Sequence, residues 1–540
     1  MTSSTRLSYI TGLDGIRAVA VMAVLFYHAN QPWALGGFLG VETFFVLSGF
    51  LITSLLLAEW HSTHGIDLRH FWLRRARRLL PAVWLLLLAL PVLAVLFARD
   101  ALPRLQEDIP AALFYITNWV YIVREVPYFE AFGRPPLLQQ LWSLAVEEQF
   151  YLLWPLLLLF LLRLSKGNRF GLLFATCVMT ALSIISMAVL YSPDADPLRV
   201  YYGTDTRAAG FLVGSMLAMF WSPWQASHLR RTAFNEAIGW IGLLALGILY
   251  NRLNEFQPFL YRGGILLTAL ASALLIVGAS TPTTWISRLL ETRLLSWIGS
   301  RSYSIYLWHW PVFMLTRPGI DIQLPTLWIR VGQIAVTFVL AEMSYRWIET
   351  PVRQQGFRAN IRSLQEALRN LPVPQKVGVG TAVISASALL IWQGMFHPVT
   401  ASAPVEEIPA LQATSTPHAI RATATKPALL IPQPTTSRSI PPTLTPTRAP
   451  AQPRVTFIGD SIMQGASPMF DDVFGEDIYV NAERKRKMED VPALVETLAR
   501  EGHLSSVVVI HLGSNRPFEE PVFDKVMETL LAHDVKRVIF

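Results

Sequence analysis

A single cysteine in 540 residues, Cys177, excludes an intrachain disulfide and any cysteine-based metal site. Charge is equally scarce. Asp, Glu, Lys and Arg make up 15% of the chain and hydrophobic residues 52%, a balance that belongs to membrane proteins. Mean hydropathy is +0.38. The N-terminus, MTSSTRLSYITGLDGIR, has no early apolar core followed by a small-residue cleavage site, so the first apolar run reads as a retained span. No recognition motif accompanies the net charge of +7, which excludes nucleic acid as a partner.

What the chain does have is long apolar runs. On the template of about 20 mostly apolar residues per span, there are about eleven, centred near Val21, Phe45, Leu88, Leu156, Met179, Val213, Leu243, Leu270, Leu307, Val336 and Ala388. Basic residues alternate between the connecting loops. Arg69 to Arg78, Arg163 to Arg169, Arg230 and Arg231, Arg288 and Arg293, and Arg346 to Lys376 follow every second span. The positive-inside rule therefore places the N-terminus in the cytoplasm and everything beyond about Phe396 outside. Residues 398–453 are dominated by Pro, Thr, Ala and Ser, the composition of an extended tether. Beyond it, VTFIGDS, DIYVNA, SVVVIHLGSN and VKRVIF read as short buried strands. DVPALVETLAREG and FDKVMETLLAHD read as amphipathic helices. This alternation predicts a parallel, three-layer α/β domain.

Four patches place polar groups where apolar ones cost less. LDGIRAVAVMAVLFYHAN carries Asp14 and Arg17, an i,i+3 pair on one helix face, and His28. HFWLRRARRLLPA carries Arg74, Arg75, Arg77 and Arg78, a dense positive site suited to a phosphate-bearing cytoplasmic donor or to anionic lipid. QQLWSLAVEEQFYLLWP carries Ser143, Glu147, Glu148 and Gln149. RSYSIYLWHWPV carries Tyr303, Tyr306 and His309. Either His28 or His309 suits an acid or base role, because imidazole titrates near neutral pH. The structural alternatives are an ion pair and a snorkelling histidine for the first patch, a topology signal for the arginine cluster, and satisfied interior polar groups for the other two.

Taken in order, these motifs resemble the acyltransferase 3 family of membrane acyltransferases over roughly Ser8 to Gly356. The first-helix motif, the Arg-x-x-Arg segment, WSLAVEEQFYLLWP, GTDTRAAGFLVG, RSYSIYLWHWPV and YRWIETPVR carry the resemblance. It implies catalytic roles for His28 and Glu147 and an acyl-CoA site at Arg75 and Arg78. Gln140 stands where many members have histidine. The family commonly moves acetyl from acetyl-CoA to carbohydrate across the membrane, so the implied donor is acyl-CoA with no tightly bound cofactor. The implied acceptor is a cell-envelope glycan, either peptidoglycan or polysaccharide. GDSIMQG and HLGSN resemble blocks I and III of SGNH hydrolases, which assigns the nucleophile to Ser461 and an oxyanion-hole donor to Asn515. NAERKRKM lacks the block II glycine. No Asp-x-x-His follows Ser461, and His511 lies in a strand where pairing or burial is expected to hold it away from Ser461. The expected organisation is a membrane domain over 8–356, a cytoplasmic segment and connecting span over 357–397, the tether over 398–453, and a partial SGNH-like domain over 454–540 that looks truncated. The competing readings are a transporter-like membrane protein and a non-catalytic remnant.

Overall fold

The computed structural model describes residues 7–129, 134–193, 196–224, 232–356, 455–460, 463–464, 470, 478–483, 486–512 and 520–540. The chain divides into two compact units, Met1–Thr400 and Ala401–Phe540.

The first unit is helical. Its elements are α1 (Thr11–His28), α2 (Gly40–Thr63), α3 (Leu68–Phe97), α4 (Leu102–Leu113), α5 (Thr117–Val123), α6 (Leu141–Leu164), α7 (Arg169–Leu190), α8 (Leu198–Tyr202), α9 (Thr204–Phe220) and α10 (Thr232–Arg252). They continue with α11 (Ile265–Ala279), α12 (Trp285–Leu290), α13 (Arg293–Ser300), α14 (Ser302–Leu315), α15 (Thr326–Ser344) and α16 (Thr350–Gln355). Seven of the described helices are long and apolar enough to cross a membrane: α2, α3, α6, α7, α10, α11 and α15. The bundle is thus polytopic. The expected spans at Val21, Val213 and Leu307 form helices of 18, 17 and 14 residues that fall outside this set. The run at Ala388 lies outside the described residues.

Burial explains the difference. Nearly every residue of α14 is buried, as are most of α1 and α9. These are interior helices that can keep polar side chains because protein surrounds them. Helices α7, α10 and α15 instead expose apolar faces, with Phe174, Leu182 and Ile185, then Ile241, Leu244 and Ile248, then Val331, Val336 and Val339. Those faces suit hydrocarbon. Backbones approach closely around α1. A Cβ on Gly12 would sit inside the carbonyl of Ala279, one on Gly15 inside that of Leu290, and one on Gly299 inside that of Asp14. Small residues at such crossings are how helices pack where water supplies no drive.

The second unit holds a four-stranded parallel sheet in the order β2-β1-β3-β4. Its strands are β1 (Val455–Gly459), β2 (Ile478–Ala482), β3 (Val507–His511) and β4 (Arg537–Ile539). Helix α17 (Val491–Arg500) links β2 to β3, and α18 (Glu520–Ala532) links β3 to β4. Every strand and helix read from the sequence is present. Both helices pack on one face, where Val491, Val495, Val526 and Leu530 meet Ile458, Val508 and Ile510. Among the described residues the other face is covered by Met463 and Phe470, against Val455, Phe457 and Val509. Handedness accounts for this. A right-handed step from β1 to β2 runs opposite to the steps toward β4, so its connection must cross the other face.

Candidate acyl-transfer site

Several of the polar residues that interrupt the apolar runs line one cavity of about 270 Å³, and His28 and His309 are not among them. Arg17 from α1 and Arg75 and Arg78 from α3 line it, together with Ser48 from α2, Ser143, Glu147 and Tyr151 from α6, and Tyr303 and Tyr306 from α14. Arg75 and Arg78 are three residues apart and share a helix face. The Arg75 guanidinium rests 5.8 Å from the Phe71 ring and 5.5 Å from that of Tyr151. The other two arginines of the cluster do not line the cavity. Arg74 is exposed, and the Arg77 guanidinium packs beside Gly356. Arg17 forms the expected pair with Asp14 at 2.6 Å, and Tyr9 also donates to Asp14.

Glu147 is the centre of a polar cluster. The hydroxyls of Ser48 and Tyr151 both donate to its Oε1 and lie 3.0 Å from each other. Glu148 turns elsewhere, and its Oε1 has no hydrogen-bond partner among the described residues. At the other end of the polar lining, the Tyr306 hydroxyl donates to the Gln140 carbonyl at 3.0 Å and lies 2.6 Å from Ser143 Oγ. The Gln140 side chain donates to the Leu307 carbonyl at 3.0 Å, so it braces α14 against the start of α6.

One turn beyond Tyr306, His309 meets His28. Their rings stack with centroids 5.1 Å apart, and His309 Nε2 lies 3.1 Å from His28 Nδ1. His28 Nε2 faces the Tyr128 hydroxyl at 3.2 Å. His28 sits eleven residues past Arg17 on α1, about 16 Å along the axis at about 1.5 Å per residue. The arginines and the histidines thus stand at two levels of one bundle, with Glu147, Ser143 and Tyr306 between them.

Residues 10–343 match the acyltransferase 3 family, described as an acyltransferase domain. The chain belongs to this family. It is 40% identical over 426 residues to the peptidoglycan O-acetyltransferase OatA of Listeria monocytogenes, covering 77% of this chain and 68% of that protein. It is 42% identical over 396 residues to YrhL of Bacillus subtilis, provisionally named a peptidoglycan O-acetyltransferase, covering 72% and 62%. A Staphylococcus aureus protein provisionally named an O-acetyltransferase is 41% identical over 363 residues, covering 66% and 59%. The matches therefore span roughly three-fifths to two-thirds of these relatives' own lengths. No solved structure matches the chain.

Sequence reasoning missed part of this acyltransferase domain. Glu42 of α2 and Arg207 of α9 form a fully buried ion pair at 2.9 Å. Arg207 also lies over the rings of Phe45, Trp142 and Tyr201 at 5.7, 5.7 and 5.2 Å. A carboxylate in the first turn of an apolar helix was the available signal for Glu42. Ser48, Tyr128 and Tyr151 were missed as well, because a single hydroxyl in an apolar run or a connecting segment does not stand out.

In the second unit, Ser461 and Asn515 lie outside the described residues. Their flanks are described. The reversal of strand order puts the switch point between β1 and β3, where open α/β sheets bind ligands at the carboxyl ends of strands. Asp460 is buried there. His511 ends β3 with half its side chain exposed and Nδ1 3.6 Å from Asp460 Oδ1. His511 is paired in register with Gly459 of β1; the expectation that it is held away from Ser461 falls on a residue outside the described ones. Arg486, from the segment that lacks a glycine, folds back onto the same edge. Its guanidinium donates to the carbonyls of Gly459 at 3.2 Å and Asn481 at 2.5 Å. Burial, partly offset by Glu483, lowers its pKa.

Proposed function

We propose that the protein takes acetyl from cytoplasmic acetyl-CoA and delivers it across the membrane to a hydroxyl of a cell-envelope glycan, in the manner that the names of its relatives indicate for peptidoglycan. One observation carries this reading. Three arginines and the Glu147–Ser143–Tyr306 groups line a single cavity, one helical turn from the paired histidines. Guanidinium forks suit the donor's phosphates. With those phosphates at Arg75 and Arg78, the thioester end points along the cavity towards His28.

In the chemical step His28 Nε2 takes the proton from an attacking hydroxyl. The oxygen forms a C–O bond to the acetyl carbon, the C–S bond breaks, and the departing thiolate is protonated to free coenzyme A. Glu147, held by the hydroxyls of Ser48 and Tyr151, shares the cavity lining with the arginines. Ser461 is the proposed external relay, with Asn515 polarising the acyl carbonyl before transfer to the sugar. The topology that goes with this has the N-terminus and basic loops inside, ten spans in the acyltransferase domain, and residues 398–540 outside.

The test uses the full chain in inside-out membrane vesicles with radiolabelled acetyl-CoA. Release of coenzyme A that vanishes in His28→Ala and Glu147→Gln, with both variants still folded, is the expected result. Wild-type turnover in the His28→Ala variant overturns the reading.

A further inference from the structure

The two histidines are not equivalent, and the hydrogen bonds around them say how. Nδ1 of His309 lies 2.6 Å from the Tyr306 carbonyl oxygen. A carbonyl only accepts, so Nδ1 carries the proton, and in the neutral ring Nε2 is left as an acceptor. That acceptor faces Nδ1 of His28 at 3.1 Å. His28 must then carry its proton on Nδ1, which leaves its Nε2 lone pair aimed at the Tyr128 hydroxyl, 3.2 Å away.

We infer that His309 is a positioning residue that locks His28 in the Nδ1–H tautomer, so that Nε2 is the base presented to the incoming hydroxyl. The chain of donors runs in one direction: Tyr128 hydroxyl to His28, His28 to His309, His309 to the Tyr306 carbonyl. His309 is buried and its ring stacks on His28. It therefore fixes ring orientation as well as proton position, the service a carboxylate performs for the histidine of a serine-protease triad. Here the site has a neutral partner, which avoids placing a lone carboxylate deep in the bundle. The same Tyr306 contributes its carbonyl to this chain and its hydroxyl to the cavity lining, tying the base to the cavity wall. A second carbonyl, that of Val24, also faces the His28 ring from one turn back on α1. It is a further acceptor that holds the same tautomer.

This inference rests on the reading of His28 as the base, and the experiment separates the two. Steady-state acetyl-CoA turnover is measured for the full chain and for His28→Ala, His309→Leu, His309→Gln and His309→Asn. A Gln side chain reaches far enough to offer an amide oxygen to His28 Nδ1, and an Asn side chain does not. The expected pattern is loss of kcat by about 10²–10⁴-fold in His309→Leu and His309→Asn, the range of a general-base contribution, and recovery of about tenfold or more in His309→Gln. KM for acetyl-CoA stays within about twofold in all three, since His309 is not part of the cavity lining. If His309→Leu does not fold, the Gln and Asn pair decides alone. Equal activity of Gln and Asn overturns the inference, and so does wild-type kcat in His309→Leu, which would leave the Val24 carbonyl sufficient. An active His28→Ala variant defeats the underlying reading instead.

Discussion

Arg207 and Glu42 face each other at 2.9 Å across the interface of α9 and α2, and neither side chain reaches solvent. Removing one member leaves a charge buried without a counter-charge, which costs about 3–5 kcal/mol. Arg207→Met is therefore expected to lower the unfolding temperature in detergent sharply. Adding Glu42→Leu should restore much of the loss, because an apolar pair of similar volume needs no desolvation of charge. A double variant as unstable as the single one would mean that the ring contacts of Arg207, and not the charge pair, stabilise this interface.

The two cavity arginines should differ from their neighbours in sequence. Arg75→Ala and Arg78→Ala are each expected to weaken acetyl-CoA binding by about 1.5–3 kcal/mol, the value of a charge-assisted hydrogen bond. Arg74→Ala, on the exposed side of α3, should leave donor affinity unchanged. Calorimetric titration of the purified protein checks this. Equal losses at Arg74 and Arg75 would reduce the cluster to a topology signal.

Sidedness is open to a direct chemical test. In a Cys177→Ser background, cysteine at Ser437 should react with an impermeant maleimide in intact cells, and cysteine at Gly65 should react only after permeabilisation. The opposite pattern would invert the topology and with it the direction of acyl transfer.

Asp321, in the loop between α14 and α15, sets a pH limit. Partial burial alone would raise its pKa, but donors from Arg317 and Arg134 outweigh that and bring it down to about 2. A depressed folded-state value stabilises the fold above the unfolded carboxylate value of about 3.9, and the contribution disappears as pH falls towards about 2. Unfolding temperature should hence be insensitive to this residue's titration between pH 7 and about 5. It should fall between about pH 4 and 2. In Asp321→Asn that acid-limb fall should be smaller. An identical acid limb in the variant would assign the loss to other carboxylates.

Much of the site is legible in the amino-acid sequence itself. Arg75, Arg78, Glu147, Ser143, Tyr306, His28 and His309 each interrupt an apolar run, and such interruptions are costly enough to be informative one residue at a time. The strands and helices of the second unit are legible because their apolar periods are local. Two kinds of fact are not. Partnerships such as His28 with His309 and Glu42 with Arg207 join positions far apart in the chain, and no local spacing encodes them. Interior helices also break the length rule. Helix α14 is too short for the span criterion because it meets protein and not lipid along nearly its whole length, a property of its neighbours' faces and not of its own sequence.

The glycine contacts along α1 carry one mechanical consequence. With Gly12 against Ala279, Gly15 against Leu290, and Gly299 against Asp14, its first turns are clasped by backbone that has no slack. The helix cannot ratchet by a turn without forcing carbonyls through one another. The interval from Arg17 to His28 is then a fixed gauge, a ruler whose two marks keep their spacing while α1 moves only together with the helices that clasp it.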